Sequence, residues 1–517
     1  MKLSLLGSVA LLGLSAAACS APVSDASSSA EDDLTSATAR ARKLTFAGYV
    51  YVDPSATDGQ ILSRVRAQTQ TAFGALRTSE VGVASRELKG VDPSTFRKTT
   101  VTVADPANPS STKSMVKVTY RYDDDAVVPV AMAKRSSLST AVMNPGYAAQ
   151  SQRILKECTA NDSEAQEFVG AIWYVFDPSV GPCAGAIGKE QKAIDVDAAK
   201  VGAGKVPQSE VARLYIPVTV KLAAATTKTS GTYPEYDRLY SGGVKPNRVV
   251  ISLVNGLIDH SNNTSTYQDS AWGEWMDELR AALAGRDFKF TGIEGNADLA
   301  NYTVGGKQVH LPGGFMDVIN DNLPLNVGHD ALLTAVSEKV THHFLRFEAP
   351  LKVKIGAAAE KNVTVEIMTY FGSGSDGAPH KYAIKNSDVF IYNGHSQIGY
   401  GPLDPSNFAP SDFPSSYQML FVDGCVSYNY YNRGYWTLKS GGTKNLDMIV
   451  NGMEAPSWHS GYALGKFVHT LVDGSQASYL TLLKAASDTD EVGGSLRVVD
   501  GELDNTYKPS KTPIVVK

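Results

Sequence analysis

Two stretches of this 517-residue chain end an apolar run on a side chain that can do covalent or proton-transfer chemistry. "DVFIYNGHSQIGYG", residues 388–401, runs into Gly394-His395-Ser396, and "YQMLFVDGC" runs into Cys425. A thiol becomes a nucleophile when a nearby base can take its proton, and imidazole is the side chain best suited to that exchange near neutral pH. The first stretch also nearly spells G-x-S-x-G, the nucleophile elbow in which a strained strand-to-helix turn exposes a serine oxygen. Here Ile398 stands in the place of the second glycine and Gly399 arrives one residue late. An elbow must pass directly into a helix, whereas "QIGYGPLDPSNFAP" is rich in glycine and proline. A serine hydrolase built on Ser396, with Asp404 and His459 following in the right order, is therefore the weaker reading.

The elements around these residues predict how they are positioned. From residue 248 onward, "RVVISLVN", "VTVEIMTYFG", "DVFIYNGH", "YQMLFVDGC" and "LDMIVNG" are continuously apolar runs of strand length. They alternate with amphipathic helices, one carrying Trp272, Trp275, Met276, Leu279 and Leu283 on a single face, others at "HDALLTAVSEKVTHHFL" and "SGYALGKFVHTLV". That pattern predicts a mostly parallel sheet covered on both faces, with reactive groups gathered at the carboxyl edge of its strands. The 29 residues between His395 and Cys425 are enough for a parallel crossover. Neighbouring strands lie about 4.8 Å apart, so imidazole and thiol at adjacent strand ends are within reach of each other.

A hydrophobic strand ending in Gly-His, a spacer, and a second strand ending just before Cys resembles the caspase-like cysteine peptidases, among them caspases, legumain, clostripain and the gingipains. "YNGHSQIGYG … LFVDGC" is most similar to the gingipain group, as is the strand, loop and two helices of "MIVNGMEAPSWHSGYALGKFVHTLVDGSQASYLTLLKAAS". The resemblance spans about residues 245–490. It implies a caspase-like three-layer α/β domain and a cysteine endopeptidase acting on a peptide or protein. Cys425 would attack the carbonyl, His395 would protonate the leaving amine, and the backbone N–H groups of Ser396 and Cys425 would hold the oxyanion. Ser396 stands where the family has glycine. Trp458 is a substrate-pocket candidate by the same resemblance, no cofactor is required, and calcium enters by resemblance only. From the residues themselves, Glu366 on a neighbouring strand is the acid that could orient His395, and Asp423 is expected to raise the thiol pKa if its strand stays regular through Cys425. The other function class compatible with these residues is a catalytically degenerate domain that binds peptides or glycans without cleaving them. No H-E-x-x-H occurs, and His342 and His343 lack an acid or cysteine at ligand spacing, which disfavours a zinc peptidase.

Length argues for two or three domains. Residues 43–225 read as a separate α+β domain of unassigned role, with strands at "KLTFAGYVYVD", "KSMVKVTYRYDD" and "RLYIPVTVKLAA" and a helical pattern at "GQILSRVRAQTQTAFGALRT". Residues 226–247 read as a linker before the peptidase domain at 248–517. Residues 1–19 resemble a bacterial lipoprotein signal with Cys19 as the lipidated residue, and a simple cleaved signal is the alternative. Residues 20–42 then read as a disordered tether. The expected location is the bacterial cell envelope, tethered by lipid at the outer membrane, or the secreted fraction. Of the four cysteines, Cys158 and Cys183 flank one apolar stretch and are the expected disulfide, which leaves Cys425 as the odd thiol of an oxidising compartment. A formal net charge of −5 offers no basic surplus for nucleic acid.

Overall fold

A computed structural model describes residues 34–226, 231–259, 266–456, 458–487 and 494–517. The expected signal, Cys19 and the first part of the tether lie outside the described residues. The chain is mixed α/β, built on two large mixed sheets. The first has seven strands, ordered β5-β7-β1-β4-β3-β6 with β2 added to β4. These are β1 (Ala39–Val52), β2 (Gly82–Val83), β3 (Arg97–Asp105), β4 (Asn108–Pro129), β5 (Ser137–Met143), β6 (Lys205–Pro207) and β7 (Tyr215–Leu222). The second has nine strands, and the small hairpin of β10 (Asn301–Val304) and β11 (Lys307–His310) stands apart from both.

The larger sheet comprises β8 (Arg248–Gly256), β9 (Lys289–Ile293), β12 (Phe344–Ile355), β13 (Lys361–Gly372), β14 (Val389–Asn393), β15 (Gln418–Asp423), β16 (Leu446–Asn451), β17 (Arg497–Asp500) and β18 (Ile514–Val516). Its order is β17-β16-β15-β14-β8-β13-β12-β18, with β9 on β12. The five central strands β16, β15, β14, β8 and β13 run parallel, while β12 and β17 pair antiparallel on either side. The sheet is thus mixed rather than mostly parallel: the apolar runs that read as parallel strands are the central five, and the antiparallel flanks carry the alternation of half-exposed strands, as β12 does.

Alternate residues of the central strands feed two cores. Ile251, Leu253, Ile391, Phe421 and Ile449 face the helices Ser270–Leu283 and Ser460–Val472. Those helices pack closely because Gly461 and Gly465 leave no side chain at the crossing; a Cβ on Gly461 would lie 1.9 Å from Glu274 O. Val254, Tyr392, Val422 and Val450 face the other way, into one core shared with Phe46, Phe73, Val83 and Val127 of the first sheet and its helices. Each such side chain contributes about 1.5–3 kcal/mol by leaving water, so the second face of the large sheet is sealed by the N-terminal half of the chain.

Three expected boundaries change. Residues 34–42 of the expected tether are built into the fold: Leu34 is buried, Thr35 N–H donates to Glu502 Oε1 at 3.1 Å, and β1 starts at Ala39. Within the expected linker, Tyr236–Ser241 is a helix that buries Tyr236, Leu239 and Tyr240, a short amphipathic turn hidden among turn-forming residues. The α+β half is not a detached unit, because Asp33–Lys517 forms one compact body with that common core. Cys158 and Cys183 are bonded, S–S 2.02 Å. Among the described residues no helix is long and apolar enough to cross a membrane.

Candidate active site

The carboxyl edge of the parallel strands ends in two successive rungs. In the first, Asn255 of β8, Asn393 of β14 and Asp423 of β15 are paired side by side, and Asn451 of β16 pairs with Arg497 of β17. Asp423 Oδ1 accepts from Asn451 Nδ2 at 2.6 Å and Oδ2 accepts from Arg497 Nη2 at 2.8 Å, all three side chains buried. The next position on each strand is glycine: 256, 394, 424 and 452. In the sequence this is a repeated strand ending, "VNGL", "YNGH", "VDGC" and "VNGM", a signal that the apolar runs alone do not reveal. The repeat has a spatial reason. A Cβ on Gly424 would lie 3.2 Å from Gly394 O and 3.3 Å from Ser396 Cβ, and one on Gly452 would lie 2.3 Å from Val127 Cγ2 of β4.

His395 and Cys425 each stand two residues beyond the same rung, Asn393 with Asp423, and both line one cleft of about 670 Å³. His395 is exposed and its Nε2 lies 3.3 Å from Ile258 O. The Ile258 segment is fixed in turn, because the backbone N–H groups of Ile258 and Asp259 donate to the Asp269 carboxylate at 3.1 and 2.9 Å. Cys425 is half-buried, with its Sγ 3.9 Å from Ala455 O. Burial pushes its thiol up to about 11, and the Glu454 and Asp423 carboxylates add to the push. The β15 strand does end at Asp423, and Arg497 answers that carboxylate, so burial rather than Asp423 is the main cause.

Backbone strain collects here. Val426, directly after Cys425, has φ 53°, and Ile398, three residues after His395, has φ 45°. Both are β-branched residues in the left-handed region, where their side chains are strongly disfavoured. Ser396 is 5% exposed; its carbonyl accepts from Tyr431 Oη and from Gly399 N–H at 2.9 Å. Among the described residues neither Ser396 N–H nor Cys425 N–H has a hydrogen-bond acceptor, and Ser396 N lies 3.4 Å from where a Gly424 Cβ would be.

Other expected positions fall elsewhere. Glu366 does not approach His395. It pairs in register with Val250, six residues before the Gly372–Gly256 rung, and its carboxylate is held by Lys245, Arg248 and Arg346 at 2.8–3.0 Å. The group at His395 Nε2 is instead the Ile258 carbonyl. A helix does not follow Ser396: the chain makes a single 3₁₀ turn at Gln397–Gly399, and Asp404 is engaged by Arg86 through two bonds of 3.0 Å. Trp458 is 56% exposed and lines the same cleft as Cys425. Among the described residues no group of three or more His, Cys, Asp or Glu side chains comes together as a metal site.

The sequence reading missed the share of the N-terminal half in this site. Thr38, Glu80 and Pro129 line the cleft, and Arg77 reaches across to pair with Glu454. Behind it, Asn429 Nδ2 donates to the carbonyls of Val83 and Ser85 at 3.0 and 2.8 Å, and Phe73 stacks on Tyr430 at 6.3 Å. The loops after β14, β15 and β16 thus all lean on the first sheet or its helices. Compared with known proteins, the chain matches no family model, no curated protein and no solved structure.

Proposed function

We propose that the chain is a cysteine endopeptidase of the caspase-like kind, with Cys425 as nucleophile and His395 as its acid/base partner. The observation that carries this reading is positional: thiol and imidazole each follow the same strand rung by two residues and open into one cleft. With Nε2–H donating to Ile258 O, Nδ1 is the basic nitrogen of His395. The thiol proton passes to His395 as sulfur attacks the peptide carbonyl. The oxyanion that forms is met by the N–H groups of Ser396 and Cys425. Return of the proton to the departing nitrogen breaks the C–N bond and leaves a thioester, which water hydrolyses with His395 acting as base.

A raised thiol pKa suits this concerted transfer better than a pre-formed ion pair, since sulfur stays protonated until the carbonyl is close and His395 takes the proton during the attack. The same observation favours the second reading, a binding module without turnover, for a thiol pushed up to about 11 is a sluggish nucleophile in the absence of substrate. Quenched fluorescent protein substrates, offered to the full exported chain with a reductant, separate the two. Turnover that is abolished in Cys425→Ala and blocked by iodoacetamide supports the peptidase. A folded wild-type chain that turns over nothing, with Cys425 unalkylated by iodoacetamide, leaves the binding module in its place.

A further inference from the structure

Among the described residues three carboxylates reach the cleft. Asp423 is neutralised from behind by Arg497 and Asn451. Glu454, next to Cys425 along the wall, is paired with Arg77 of the N-terminal half. Arg77 is itself fixed: its Nε donates to Tyr174 O at 3.2 Å, its guanidinium lies 4.6 Å over the Tyr174 ring, and Glu164 stands 3.8 Å away. Glu80 is at the rim and exposed to water, on the turn whose N–H bonds back to Arg77 O at 2.9 Å. Beside Thr38, Asn393 and the reacting pair, most of the remaining wall is apolar, made by Pro129, Met453, Ala455, Pro456, Trp458 and Leu496.

We propose that this cleft selects an apolar side chain on the acyl side of the scissile bond, and that Arg77 is the specificity-determining residue that keeps it so by occupying Glu454. The proposal rests on the reading of Cys425 and His395 as the reacting pair. Among the described residues a cationic substrate side chain finds only Glu80 at the water-exposed rim and Glu454, whose Oε1 it can take only by displacing Arg77, which would cost a mostly buried guanidinium its shortest ion pair. An acidic one meets the Glu454 and Glu80 carboxylates. An apolar one loses only water and gains the Met453–Pro456 wall and the Trp458 ring. Specificity of this kind is a difference between affinities, and here much of it comes from the groups that turn charged side chains away.

The test is a set of fluorogenic peptides that differ only in the residue before the scissile bond, offered to the full chain and to Arg77→Gln. The same peptides, fluorescently labelled, are titrated onto Cys425→Ala by anisotropy. For wild type, Leu, Met and Phe peptides are expected to exceed Lys, Arg, Asp and Glu peptides by about tenfold or more in kcat/KM. In Arg77→Gln the bared Glu454 carboxylate is expected to raise the Lys and Arg peptides about tenfold relative to Leu, and Arg77→Gln with Glu454→Gln is expected to restore the apolar preference. Because the readout is a ratio between substrates, partial unfolding of a variant does not imitate it. A wild-type preference for charged residues, or an unchanged ratio in Arg77→Gln, overturns the proposal. If no peptide is cleaved but Cys425→Ala binds the apolar ones selectively, the peptidase reading falls and the cleft assignment stands. Neither cleavage nor binding overturns both.

Discussion

The two ends of the nine-stranded sheet are made from the same strands and are treated in opposite ways. At the amino end, Glu366 is clasped by Lys245, Arg248 and Arg346, Arg248 also bonds Glu348 at 2.7 Å, and Asp388 accepts the N–H groups of Val244 and Val250 at 2.8 and 2.9 Å. There, these three carboxylates each bridge one strand or loop to another, although Asp447 Oδ1 near the start of β16 is buried and unbonded among the described residues. At the carboxyl end the strands run out through glycine, two β-branched residues are held in the left-handed region, and polar atoms are left without partners. Glu278 Oε1 and Asn255 Oδ1 are both buried and unbonded among the described residues, although Asn255 Nδ2 donates to Glu278 Oε2 at 2.6 Å. On the proposed function, the contrast separates a stability end from a chemistry end. Charge alone does not mark the site, since the more heavily charged end is the structural one.

Substitutions at each end should move different observables. The largest effect is expected from His395→Ala at the carboxyl end: a fall of about 100- to 10,000-fold in kcat/KM, with the urea midpoint unchanged. At the other end, Glu366→Gln should cost about 1–2 kcal/mol of stability in urea unfolding, because the three cations it leaves are each a third or more exposed, and leave the Cys425 alkylation rate and kcat/KM as they were. Loss of activity without loss of stability in that variant would merge the two ends. A smaller effect is expected from Gly424→Ala, whose new methyl forces Gly394 and Ser396 to give way by a few tenths of an ångström. It should lower kcat/KM roughly tenfold for about 1 kcal/mol of stability.

The smallest is Glu278→Gln. Burial pushes Glu278 up to about 8 from its ordinary 4.5. Between those values the unfolded chain has released a proton that the folded chain keeps, so the folded state loses stability as pH rises through the window. Glutamine has no proton to release and can bond Asn255 through both its groups. The variant's Tm advantage over wild type should therefore grow between pH 5 and pH 8, by roughly 2–4 °C, and level off above.

What could be read from the chain follows the same division. The central strands, and the neighbouring ends at His395 and Cys425, were legible because each is a largely apolar run, the pattern of strands buried on both faces. Glu366 was misplaced because a strand's sequence does not say how far along its neighbours it sits: the β13 run continues to Gly372, and register with β8 puts Glu366 at the wrong end. Arg77 was invisible for a different reason. Its partner Glu454 is 377 residues away in the chain, and no local pattern encodes a pairing made by two sheets sharing a core. Leu34 and the Tyr236–Ser241 helix were masked by serine, glycine and proline neighbours that read as linker.

The common core also governs what a cut would do. Ala223–Thr226, which leaves the first sheet, is exposed, with the N–H groups of Ala223 and Thr226 still bonded to Lys43 O and Ala41 O of β1 at 2.8 and 3.1 Å. Severing the chain there would free no piece, because Val254, Tyr392, Val422 and Val450 on one fragment stay interleaved with Phe46, Phe73, Val83 and Val127 on the other. The nicked molecule would elute from a sizing column as one species and run on a denaturing gel as two. Its halves would behave as non-covalent subunits of a heterodimer whose cleft is assembled from both.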